Sequence, residues 1–65
     1  MKLKTLRAIR NISQEKLAEM ADISPVTLRR IESGDWKSSR FFILEQIAEA
    51  LDMTVQELFL DEEEK

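Results

Sequence analysis

Arg29 and Arg30 are adjacent in the segment SPVTLRRIESG, residues 24–34. A guanidinium carries five N–H donors in a planar fork and keeps its charge, so its chemistry is hydrogen bonding to paired acceptors rather than proton transfer. Groups that could do bond-making chemistry are scarce. The chain has no His and no Cys, which removes the commonest general base, the commonest metal ligand and any thiolate. One Gly in 65 residues leaves no glycine-rich phosphate loop. No enzyme, cofactor or metal site is expected, and the chemistry to explain is recognition.

The elements that must hold these arginines are helical. Apolar spacing follows the helical period, alternating strand patterns are absent, and one Gly and one Pro are the few breakers. Five helices are predicted. The first covers about residues 2–10, with Leu3, Leu6 and Ile9 inward. The second covers about 13–21, with Ser13 as N-cap and Leu17, Ala18 and Ala21 inward. The third covers about 24–33: Ser24 caps it, Pro25 sits where its missing N–H costs nothing, and Gly34 ends it. Leu28 and Ile31 then face the core and Arg29 and Arg30 face out. The fourth covers about 39–51 with Leu44, Ile47, Ala48 and Leu51 in helical register. The fifth opens with the capping box Thr54-Val55-Gln56-Glu57 and buries Val55, Leu58 and Phe59. Helices two and three, joined by a tight turn, form a helix-turn-helix unit, a design whose second helix enters the DNA major groove.

The totals bound the rest. Sixty-five residues make one domain with a small core, here residues 1–60, followed by an acidic tail, 61–65, expected to be disordered. The absence of Cys suits a reducing cytosol, and no apolar run approaches the roughly 20 residues that span a bilayer. A cytoplasmic protein with no membrane partner is expected. Net charge is −3, but it is polarised: residues 1–40 hold nine Lys and Arg against five Asp and Glu, residues 41–65 one against eight. Such a chain can turn a basic face to phosphate and an acidic face away.

The order Leu6-Arg7, Ser13-Gln14-Glu15, Leu17-Ala18, Ser24, Thr27, Ile31-Glu32, Gly34, Leu44, Ile47-Ala48 and Leu51 resembles the Cro/cI-type (XRE) helix-turn-helix family, which includes the lambdoid phage repressors. The resemblance covers residues 2–60 and implies a compact all-α five-helix bundle of the lambda-repressor-like type. It also assigns roles. Gln14 matches a residue that hydrogen-bonds a DNA phosphate. Val26, Thr27, Arg29 and Arg30, with Pro25, occupy the exposed start and outer face of the recognition helix, where base edges are read. Arg30 is the first choice among them, its fork fitting guanine O6 and N7, and Val26 suits a thymine methyl. Lys37 and Arg40 match phosphate-contacting positions before the fourth helix. Arg7 and Glu32 match a partly buried ion pair, and Phe41 matches a core position.

Departures from the family pattern are informative. Asn11, Asp22 and Asp52 stand at turns where relatives often carry Gly, and Asn and Asp best tolerate positive φ. Pro25-Val26 replaces the amides of phage relatives, so base-edge information is thin and specificity leans on DNA shape. Asp35 and Trp36 stand where basic residues are usual. Trp36, Phe42 and Ile43 form either extra core or an apolar patch for a partner or second protomer.

Two functions compete at this point. One is a DNA-binding regulator, a repressor reading a pseudo-palindromic operator in double-stranded DNA as a homodimer paired through the fourth and fifth helices. The other is a protein-binding module, such as the antitoxin of a toxin–antitoxin pair.

Overall fold

The computed structural model describes residues 2–60; the acidic tail lies outside the described residues. The chain is all-α: α1 (Lys2–Ile9), α2 (Gln14–Ala21), α3 (Pro25–Glu32), α4 (Phe41–Ala50) and a final π-helical turn (Gln56–Leu60). No strand occurs among the described residues.

Local chemistry explains where the helices start. The Ser13 hydroxyl accepts the Lys16 backbone N–H at 3.0 Å, and the Ser24 hydroxyl accepts that of Thr27 at 3.1 Å. Each satisfies one donor that a helix start would leave orphaned. Before the final turn, Thr54 N–H donates to Glu57 Oε1 at 3.0 Å and Glu57 N–H donates to Thr54 Oγ1 at 3.1 Å. This is the reciprocal capping box that Thr54-Val55-Gln56-Glu57 predicts.

All four α-helices end in the same way. In each, a residue with positive φ donates its N–H three residues back, and the next residue donates five residues back: Asn11 to Ala8 and Ile12 to Arg7, Asp22 to Glu19 and Ile23 to Ala18, Gly34 to Ile31 and Asp35 to Arg30, Asp52 to Glu49 and Met53 to Ala48. This is the Schellman pattern, which satisfies the last carbonyls. Asn11, Asp22 and Asp52 lie at φ of 58°, 59° and 58°, which Asn and Asp tolerate. Gly34 lies at φ 113°, outside that well, and this is where the chain's single glycine stands. Ile12, Ile23 and Met53, each just past its turn, pack against the core.

α2 packs on both α3 and α4, and α1 packs on the final turn. The core between them holds Leu3, Leu17, Leu28, Ile31, Leu44, Ile47, Leu51, Leu58 and Phe59. Trp36 joins it from the loop before α4, its ring 5.5 Å from that of Phe59 and tilted by 37°.

Four expectations are corrected here. Ile9 is 75% exposed rather than inward. Counting from buried Leu3, helical phase returns at Arg10, not Ile9, and the Arg10 guanidinium instead reaches across to the Leu51 carbonyl at 2.7 Å. Phe41 is 59% exposed rather than core, because it is the first residue of α4 and Leu44 and Ile47 set the buried face. α4 also starts two residues later than predicted. Ser38 spends its hydroxyl on the Asp35 carboxylate at 2.7 Å, and Arg40 takes the N-cap position in extended backbone. The last segment is one π-helical turn rather than an α-helix.

Candidate nucleic-acid interface

The interface is built on α2, the turn 22–24 and α3. Leu28 and Ile31 are fully buried, which fixes the rotation of α3 about its axis. The opposite face is thereby turned to solvent. Val26 is 61% exposed, and Arg29 and Arg30 are both exposed. Among the described residues neither guanidinium has a hydrogen-bond or ion-pair partner. Thr27 is half-buried, and its Oγ1 accepts the Ser24 hydroxyl at 3.0 Å, so it is partly committed to the helix start.

Gln14, the first residue of α2, sits beside that face. Its Nε2 donates to Glu32 Oε1 at 2.9 Å, and since this nitrogen carries two N–H groups one remains for another acceptor. Glu32, the last residue of α3, is buried and is clamped from the other side by Arg7. Arg7 Nε donates to Oε2 at 2.8 Å and Nη2 to Oε1 at 3.1 Å, while Nη1 donates to the Ile12 carbonyl at 3.0 Å. The expected Arg7–Glu32 pair is present and bidentate. Burial pushes the Glu32 carboxyl up. The hydrogen bonds from Arg7 and Gln14 and the charges of Arg7 and Lys4 outweigh it, and the pKa ends below its ordinary value.

Lys37 and Arg40 flank the entry to α4, both exposed. Lys37 Nζ lies 5.8 Å from the centre of the Trp36 ring. Arg40 makes no side-chain cap, so among the described residues the Phe41 and Phe42 N–H groups at the start of α4 lack an N-cap side-chain acceptor. A basic residue beside such a helix start is the arrangement that suits a phosphate.

Two basic residues that the sequence does not mark as structural, Lys2 and Arg10, hold backbone carbonyls: Lys2 Nζ donates to Glu57 at 2.8 Å and Arg10 to Leu51 at 2.7 Å. For Arg10 the helical phase from Leu3 was the available signal. The patch of Trp36, Phe42 and Ile43 divides. Trp36 is buried on Phe59, Ile43 packs half-buried against the core, and Phe42 alone of the three is exposed, beside Phe41.

A helix-turn-helix family model matches residues 3–58. The chain is also 40% identical over 63 residues to an uncharacterized HTH-type transcriptional regulator of Bacillus subtilis (strain 168), YgzD, covering 97% of this chain and 94% of that one. No solved structure matches.

Proposed function

Because the chain belongs to the Cro/cI-type (XRE) helix-turn-helix family, we propose that it is a DNA-binding transcription regulator that lays α3 in the major groove. The observation that carries this reading is the outward face of α3, with Val26, Arg29 and Arg30 exposed and both guanidiniums unpaired among the described residues, over a fully buried Leu28 and Ile31. Arg30 presents its fork to guanine O6 and N7, Val26 meets a thymine methyl, and Arg29 and Thr27 meet neighbouring edges or the strand beside them. Gln14, Lys37 and Arg40 hold phosphates on either side and set the register. Glu32 fixes the Gln14 amide for that contact.

One such unit covers few base pairs. Two copies on half-sites about 34 Å apart double the contact, so the operator is pseudo-palindromic and the protein acts there as a homodimer. A helix-turn-helix domain seated on an operator represses by occlusion. Selection of binding sites from a random duplex pool tests this reading. It predicts enrichment of an inverted repeat by the wild-type chain and loss of that enrichment with Arg30→Ala. A pool that never departs from random composition contradicts it.

A further inference from the structure

The loop from α3 to α4 carries one carboxylate, Asp35, between Arg30 and Lys37 in sequence. It stands just past the end of α3, and it is exposed. A negative charge there is unfavourable twice over. It lies at the negative end of the α3 dipole, and it opposes a segment assigned to phosphate. Among the described residues Asp35 has no ion pair that would offset these costs.

What the carboxylate does is close the loop. The Ser38 hydroxyl donates to Asp35 Oδ1 at 2.7 Å and also lies 3.2 Å from the Asp35 carbonyl oxygen. The Asp35 N–H donates to the Arg30 carbonyl at 3.2 Å, which fastens the same residue to the last turn of α3. Inside the closed segment the Ser39 N–H donates to the Trp36 carbonyl at 3.1 Å, and the Trp36 ring is buried against Phe59. Lys37 lies between these fixed points, and Arg40 follows them at the N-cap of α4. A loop ordered before DNA arrives gives up less conformational freedom on binding. We propose that Asp35 and Ser38 are positioning residues for the phosphate contact: their bond holds Lys37 and Arg40 in place, while the charge of Asp35 restrains the strength of that contact. This rests on the assignment of Lys37 and Arg40 to phosphates. Geometry and charge then act in opposite directions, and substitutions separate them.

The experiment is binding of the full chain and its variants to random duplex DNA over a salt series. Asp35 and Ser38 are both exposed, so the substitutions leave the core in place. Ser38→Ala removes the bond and alters no charge, and it weakens binding about two- to tenfold. Asp35→Asn keeps an oxygen that accepts the Ser38 hydroxyl and removes the charge. It binds about two- to fivefold tighter than wild type at low salt, and the gain shrinks as salt is raised. In an Asp35→Ala background the bond is already lost, so Ser38→Ala changes nothing further. Wild-type binding by Ser38→Ala, an Asp35→Asn chain that binds no tighter, or a gain that salt leaves unchanged overturns the proposal. So does an undiminished effect of Ser38→Ala in the Asp35→Ala background, since Ser38 would then meet phosphate itself. A wild-type chain that binds no duplex DNA overturns the phosphate assignment and this inference together, whereas a wild type that binds beside indifferent variants overturns this inference alone.

Discussion

Gln14 and Glu32, eighteen residues apart in sequence, are joined by a 2.9 Å hydrogen bond from the amide nitrogen to the carboxylate. One is the first residue of α2 and the other the last of α3, so the bond ties the outer ends of the helix-turn-helix together. Arg7 on α1 holds the same carboxylate through two further bonds. A single buried anion thus organises three helices.

Glu32→Gln removes the charge while keeping the shape. Arg7 is then left half-satisfied in a site where its side chain is only 14% exposed. The expected loss is about 2–3 kcal/mol. In a domain this small that lowers the melting temperature by about 10–20 °C. Thermal melts of the two proteins check it, and unchanged melting would show that the network carries no stability.

The pH dependence follows from the sign of the shift. The Glu32 pKa is lower folded than unfolded, so its contribution is fully present above the unfolded value of about 4.3 and is lost as pH falls through the folded value. Urea midpoints of wild type and Glu32→Gln therefore converge as the solution is acidified below that value. A constant difference down to strongly acid pH would place the carboxylate's contribution elsewhere.

The four helix ends separate by their φ values. Asn11→Gly, Asp22→Gly and Asp52→Gly are expected to be neutral or slightly stabilising, because these residues already sit in the left-handed well at φ near 58°. Gly34→Ala is expected to cost about 1–2 kcal/mol through backbone strain alone, since beyond its chain neighbours no atom of the described residues lies within 4 Å of where its Cβ would stand. Denaturant titration of the four variants ranks them, and the account requires Gly34→Ala to be the least stable.

Much of the fold was legible because its signals are local. Ser13, Ser24 and the Thr54–Glu57 box mark helix starts through bonds spanning three residues, and Asn11, Asp22 and Asp52 mark ends through one dihedral each. What was missed depends on contacts far along the chain. Trp36 is core only because Phe59 lies against it. Helical phase from Leu3 favours Arg10 over Ile9, but the Leu51 carbonyl that its guanidinium meets lies 41 residues further on. Phe41 matches a core position of the family only by its place in the sequence, whereas the rotation of α4, set by Leu44, Ile47 and Ala48, turns it outward. On the recognition side, the outward face of α3 follows directly from the Leu28 and Ile31 spacing. The hold of Glu32 on Gln14 does not, because it needs two helix ends brought together in space.

The roles assigned to the basic residues differ in how they respond to sequence and salt. Arg30→Ala is expected to cost about 1–3 kcal/mol on the operator and to flatten preference among sequences. Lys37→Ala or Arg40→Ala is expected to weaken operator and random DNA alike and to reduce the salt slope by about one unit. Equal weakening of both DNAs by Arg30→Ala would assign that residue to phosphate and leave reading to Val26, Thr27 or Arg29.

Binding of the wild-type chain to random duplex DNA over a salt series tests the central claim most directly. With Lys37 and Arg40 on phosphates, log K should fall linearly with log salt concentration, with a slope of about −2 for each bound protomer. No binding at low salt, or binding that salt leaves unchanged, would contradict the claim that this surface is built for DNA.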